Sequence, residues 1–241
     1  MKIPENMNQM GIGFFGTVMA SISHELKNRI AVIKEQAGLL KDYSAMAEQG
    51  LEINTERLGR LGQGLTKQVA KADTILKNMN KFTHSADNLI RSTDLNDLLR
   101  LSVSLAKHLT DLHRISLKLR TAETPVKVTT SPFFLMNLIW LCLETLIRAA
   151  DKPGTISVEI LKRAKGGGLI RMQRDAAELR TERPVIPEKL KLLSDALEAD
   201  VEWKKADKML FVRLQADITN YDRIKDLGTI FGHYKEAENH N

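Results

Sequence analysis

The sequence predicts an α + α/β fold: an antiparallel helical hairpin that pairs with a second copy into a four-helix bundle, followed by an α/β layer. Three observations carry this. Apolar residues recur at threes and fours over the first 80 positions, then alternate at twos in the second half. Aromatic residues are only 5%, while Leu, Ile, Ala and Met are plentiful. With 43% hydrophobic and 27% charged residues in 241, the composition is that of an ordinary globular protein rather than a disordered chain.

The first helix is read from Phe15, Met19, Ile22, Leu26, Ile30, Ile33, Ala37 and Leu40. A polar break, Ser44 to Gly50, follows, and the period resumes at Leu58, Leu61, Leu65, Val69, Ala72, Leu76 and Met79. Gly59, Gly62 and Gly64 fall inside this second pattern, each costing about 1 kcal/mol against Ala in a helix interior. They fit either close helix packing, a bend, or a later helix start. A two-helix hairpin has no third layer of its own, so full burial requires a second copy across a two-fold axis. The expected domains are 1–88, the hairpin, and 89–241, the α/β layer.

Ser85 to Thr93 is polar punctuation, and Asp94-Leu95-Asn96-Asp97 is a capped helix start leading into Leu98 to Leu112. Ile115, Leu117 and Leu119 alternate as a short strand does. Ser131-Pro132 opens a helix, with Ser as N-cap and Pro at the first helical position, and Lys152-Pro153-Gly154 closes it. Ile156, Val158 and Ile160 alternate, Gly166-Gly167-Gly168 turns, and Leu169 to Met172 returns as a β-hairpin. Pro187 to Ala199 reads as a helix and Leu210 to Ala216 as a strand. Ile218, Tyr221, Ile224, Leu227, Phe231 and Tyr234 suggest a last helix, interrupted at Gly228 and packed on the second domain.

Several function classes are set aside by composition. The net charge is +6, from 36 Lys and Arg against 30 Asp and Glu, but no stretch concentrates basic residues with interleaved aromatics, so a nucleic-acid partner is not expected. The most apolar run, Phe133 to Leu146, is about 14 residues and too short for a bilayer, so no membrane insertion is expected. The single cysteine, Cys142, has no internal disulfide partner and suits a reducing, cytoplasmic compartment. His84, His108, His113, His233 and His240 lack ligand spacing, so no metal site is expected.

One histidine stands apart. On a wheel of about 100° per residue, His24 points away from the apolar seam, and Asn28 shares its face one turn later. A nucleophilic imidazole needs one ring nitrogen free and the other held as N–H by an acceptor. Glu25 is a candidate acceptor, and the Asn28 amide a candidate for orienting water or a phosphoryl oxygen.

Ser23-His24-Glu25-Leu26-Lys27-Asn28 resembles the H-box of two-component sensor histidine kinases, Ser-His-Glu-Leu-(Arg/Lys)-(Thr/Asn)-Pro-Leu, with Arg29 standing where the family has its proline. Asp94 to Leu99 resembles the opening of the family's ATP-binding domain, and Ser131-Pro132 with Leu135 and Asn137 its N-box helix. The family's magnesium-holding Asn falls on Thr145. Its Asp-x-Gly-x-Gly and Gly-x-Gly boxes are replaced by Arg174-Asp175-Ala176-Ala177-Glu178, Glu198-Ala199-Asp200 and Lys205-Ala206-Asp207-Lys208. Those glycines let backbone approach a nucleotide. The resemblance therefore implies a phosphoacceptor hairpin followed by a degenerate histidine-kinase-type ATPase α/β sandwich, closest in kind to dimeric histidine phosphotransferases. His24, Glu25 and Asn28 would be catalytic, and Lys27 would contact phosphate or partner. The chain would bind no cofactor, the magnesium belonging to a response-regulator receiver domain as partner. A divergent kinase, a response-regulator phosphatase and a non-catalytic dimeric scaffold remain the alternatives.

Overall fold

The structure is a computed structural model that describes residues 5–149, 153–175, 187–204 and 209–219, with side chains from residue 9 onward. The chain forms two compact units, Thr17–Lys81 and a second made of Met1–Gly16 with Phe82–Asn241. The first sixteen residues were expected in the hairpin domain, whose end was placed at 88. They go with the second unit because Phe14 packs its ring on Phe133 and Trp140 at centroid distances of 5.5 and 5.9 Å.

The hairpin consists of the greater part of α1 (Glu5–Glu48) and α2 (Thr55–Thr83). The first helix does not break at Ser44; it runs on to Glu48 because its stop signal is Gly50. That glycine takes φ +75°, with Leu51 N–H donating to Met46 O at 3.0 Å and Gly50 N–H to Ala47 O at 2.9 Å, the paired bonds of a Schellman ending. Asn54 then caps α2, its Oδ1 accepting from Arg57 N at 3.1 Å. The three glycines lie within α2, and Gly64 has a packing reason: a Cβ there would sit 2.7 Å from Gln36 Nε2 across the hairpin.

The apolar residues of the hairpin divide into two stripes. The stripe of Ile22, Leu26, Arg29, Ile33, Gln36 and Leu40 meets α2 through Gln36 at Gly64 and through Arg29, whose Nη1 donates to Gln68 Oε1 at 3.4 Å. Leu61, Leu65, Gln68, Ala72, Ile75 and Met79 form the matching stripe on α2. Ile30 and Ala37 on α1, with Leu58, Val69 and Leu76 on α2, are displaced by roughly 80° in the same sense. On antiparallel helices that common rotation brings both sets to one side of the hairpin. There Ile30 is 54%, Leu58 38%, Val69 54% and Leu76 39% exposed.

In the second unit five strands form one sheet in the order β2-β4-β5-β7-β6, where β2 is Ile115–Arg120, β4 Gly154–Lys162, β5 Gly168–Asp175, β6 Asp200–Lys204 and β7 Met209–Leu214. Only β2 and β4 are parallel. Ile156, Val158, Ile160, Ile170, Met172, Leu210 and Val212 point to one buried face, covered by α3 (Leu95–Leu105), α5 (Pro132–Arg148) and α6 (Glu188–Ala196). The other face is polar, as alternation requires: Glu159 pairs with Arg171 and, at 3.5 Å, with Arg120. Two short strands, β1 (Arg91–Asp94) and β3 (Lys127–Thr130), make a separate antiparallel pair that the pattern did not announce, and β6 was also missed.

Asp94 caps α3 as expected, accepting from Asn96 N at 3.0 Å and also from Val126 N at 3.3 Å. The helix expected to reach Leu112 instead stops at Leu105, and a short α4 (Lys107–Leu112) follows. Pro132 opens α5 as expected, but Ser131 makes no side-chain cap bond. Fourteen of the residues of α5 are buried, Cys142 among them, and burial pushes its thiol pKa up, as suits core rather than reactivity. Ile218 is buried and its N–H donates to Thr129 O at 3.3 Å; the helix expected to follow lies outside the described residues.

The glycine turn joins β4 to β5. Gly166 and Gly167 take φ +83° and +78°, and a Cβ on Gly167 would lie 2.2 Å from Leu214 O. Gly167→Ala should therefore lower stability by about 2 kcal/mol or more, the sum of left-handed strain and backbone overlap, read as a shifted urea midpoint.

Candidate functional site

His24 lies on the solvent side of α1, and Lys27 and Asn28 beside it are exposed too. The periodicity that builds the inner stripe fixes this: His24 and Asn28 stand roughly 160° and 120° from its direction. Asn28 Nδ2 is 3.3 Å from His24 Nδ1. With the amide in this orientation Nδ2–H donates to Nδ1 and the ring proton sits on Nε2. Turned about its last bond, the amide offers Oδ1 to a proton on Nδ1.

The structure thus brings Asn28 to the imidazole. Glu25 turns the other way, toward the inner stripe, where its Oε1 is 3.8 Å from Nη2 of Arg29. Arg29 and Gln68 were not among the expected site residues. The signal for Arg29 was present in the sequence, since an acid four residues before a base on a helix forms an ion pair. Lys27, three residues after His24 on α1, is exposed too.

Of the positions matched to a nucleotide site, Thr145 and Arg174 are engaged in the fold. Thr145, where the family places its magnesium-holding amide, is buried and its Oγ1 donates to Leu141 O at 2.8 Å. Arg174 is 2% exposed and its Nη1 donates to Leu146 O and Ile147 O at 2.8 and 2.6 Å, closing the carbonyl end of α5. Burial lowers the pKa of that guanidinium from the ordinary arginine range. Asp175 ends β5 exposed, and the glycines are committed to their turn. Ala176 to Ile186 and Lys205 to Lys208, which carry the remaining replaced positions, lie outside the described residues.

The chain joins a helical hairpin that bears an exposed histidine to a five-stranded α/β layer with helices on one face, and its similarities are to sensor histidine kinases. The sequence is similar to that of the sensor histidine kinase ZraS of Salmonella typhimurium, 24% identical over 144 residues, which is 60% of this chain and 29% of that protein. ZraS of Salmonella typhi matches with the same identity over the same length. The chain thus spans under a third of the length of the curated relatives it matches. Among solved structures, the histidine kinase AdeS of Acinetobacter baumannii aligns with a TM-score of 0.45 at 12% identity, covering 80% of this chain and 98% of that one. No protein-family model matches the chain. Among the described residues no helix is long and apolar enough to cross a membrane.

Proposed function

We propose that the chain is a dimeric, cytoplasmic histidine phosphotransferase of a phosphorelay. The observation that carries this reading is the contrast between an open His24–Asn28 face and nucleotide-matched positions engaged in packing. Nε2 of His24 attacks the phosphorus of an aspartyl phosphate on a response-regulator receiver domain. The N–P bond forms as the acyl O–P bond breaks, and the aspartate leaves as carboxylate. The carboxylate of a second receiver then attacks phosphorus, the N–P bond breaks, and imidazole is returned. The magnesium that shields the phosphoryl charge belongs to the receiver. Lys27 adds a cation beside the transferred group, and Asn28 holds Nδ1.

The test is labelling of the chain by each donor in turn. A phosphorylated receiver should place label on His24, whereas labelled ATP should place none. Label arriving from ATP would overturn the phosphotransferase reading. A second reading, dephosphorylation of a receiver, is favoured by the placement of the Asn28 amide, which can orient water at the same spot.

Dimerisation follows from the second apolar stripe, with another copy as its occupant. His24 is roughly 120° around α1 from that stripe and stays open when it is covered. Val69→Asp should shift the chain from dimer to monomer in sedimentation while the α/β unit keeps its near-ultraviolet signal, because a charge replaces a 54% exposed apolar contact.

A further inference from the structure

The sheet face turned away from the helices carries its charge unevenly. Alternation puts Lys118 and Arg120 of β2, Ser157 and Glu159 of β4, and Arg171 and Gln173 of β5 on that face. Strand pairing sets them in two rows, Lys118–Ser157–Gln173 and Arg120–Glu159–Arg171. Together they line a hollow of 390 Å³. Glu159 is the least exposed of its ion-pairing groups, at 17% against 38% for Arg171 and 81% for Arg120. One of its oxygens takes Arg171 Nη2, and the other lies 3.5 Å from Arg120 Nη1. A guanidinium presents five N–H donors, so most of each fork is left for a further acceptor. Among the described residues no ion pair engages Lys118. Asp175 stands one row further along β5, opposite Thr155, and does not line the hollow. Three cations thus face one carboxylate. The rest of the face is balanced: on β7 and β6, Arg213 meets Asp200 at 2.6 Å and also Glu202, while Lys204 lies over the Phe211 ring at 5.1 Å. The excess charge is local to the hollow.

We propose that this hollow binds a phosphoryl dianion, as inorganic phosphate or a small phosphomonoester, between the guanidiniums of Arg120 and Arg171 and the ammonium of Lys118. Glu159 is a positioning residue that orients both forks and neutralises one of the three charges. The remaining two match a phosphomonoester, which carries about −1.5 to −2 at neutral pH. Arginine forks suit phosphate oxygens by paired N–H contacts, and Ser157 and Gln173 add neutral donors beside them. The site is distinct from the positions matched to a nucleotide, because Gln173 and Arg174 alternate on β5 and Arg174 faces α5 across the sheet. None of its residues belongs to the hairpin, so it does not depend on the phosphotransferase reading.

The experiment is titration of the full chain with inorganic phosphate at neutral pH and low salt, followed by backbone and arginine side-chain NMR. Saturable shifts should be confined to β2, β4 and β5 around Lys118, Ser157 and Arg171. Arg171→Gln should weaken binding about tenfold, the loss of one charge-assisted contact. Lys118→Gln, at an exposed position, should weaken it several-fold and keeps the test readable if the Arg171 variant unfolds. Arg213→Gln, on the balanced part of the same face, should leave the affinity unchanged. Acetate, a monoanion, should bind about tenfold more weakly than phosphate. Phenyl phosphate separates the two sources: tighter binding than phosphate identifies an ester as the ligand, and looser binding the free anion. An absence of saturable shifts overturns the proposal. So does an equal loss in Arg213→Gln and Arg171→Gln, or acetate binding as tightly as phosphate.

Discussion

On the proposed transfer, His24→Gln should abolish labelling of the chain by a phosphorylated receiver completely rather than partially. Glutamine has neither a ring nitrogen to attack phosphorus nor a site at which an N–P bond survives, so nothing replaces the imidazole. The side chain is exposed on α1, away from the stripe that meets α2, so the substitution leaves packing intact and the melting curve should not move. Phosphate on acid-treated and base-treated samples separates the products, since phosphohistidine survives base and is lost in acid. The same variant divides the two functional readings. Transfer would need the imidazole, whereas dephosphorylation that relies on the Asn28 amide should persist in His24→Gln at a measurable rate. Residual label in the variant, at any level above background, would place the acceptor elsewhere.

Phe82→Ala should cost the second unit about 3–5 kcal/mol, the range for deleting a buried phenyl ring. Phe82 is fully buried and its ring stands 5.6, 5.6 and 5.8 Å from Phe14, Phe15 and Phe133, edge-on to the first and stacked on the second. Ring pairs of this geometry each add a fraction of a kcal/mol beyond area, and three are lost together. The cavity cannot close easily because its walls come from both ends of the hairpin helices and from α5. Trp140, 5.9 Å from Phe14, reports the change by fluorescence during urea unfolding. A midpoint within error of wild type would mean that the cluster is not a cooperative part of this unit.

The helical half was legible because its signals are local. A 3.6-residue period, Gly50 in the left-handed region and Asn54 as cap are all written in neighbouring residues. Splitting the period into two stripes required the contact of Gln36 with Gly64, which no spacing shows. The same limit applies to Met10 and Phe14: they continue the period of α1 smoothly, and sequence cannot say which body a helix end packs on. In the second unit, strands flanked by glycine or with clean alternation were found. β1 and β3 were not, because four polar or mixed residues each, with one side exposed, carry no period-two signature. The stop of α3 at Ala106 has neither glycine nor proline to mark it.

His24 and Asn28 were legible as a pair on one face, and the ring contact agrees with that spacing. The destination of Glu25 was not. Its neighbour in sequence suggested the imidazole, while the guanidinium four residues on had the better claim, being on the side of the helix that excludes water. Arg29 was read as a missing proline, although its spacing from Glu25 already marked an ion pair. Arg174, likewise, read as part of a lost nucleotide box; its bonds to the end of α5 are a long-range contact that only the folded chain reveals.

The stripe of Ile30, Leu58, Val69 and Leu76 makes the hairpin a different kind of object from the unit attached to it. The α/β unit closes its core within one chain, so its folding free energy is a property of the sequence alone. In the proposed dimer the hairpin finishes its core with a second copy, which would make its folding and its association one equilibrium governed by mass action. Dilution is then a denaturant for one half of the molecule and not for the other. Expression level would then be a physical variable of the helix that carries His24, set by the cell rather than by the fold.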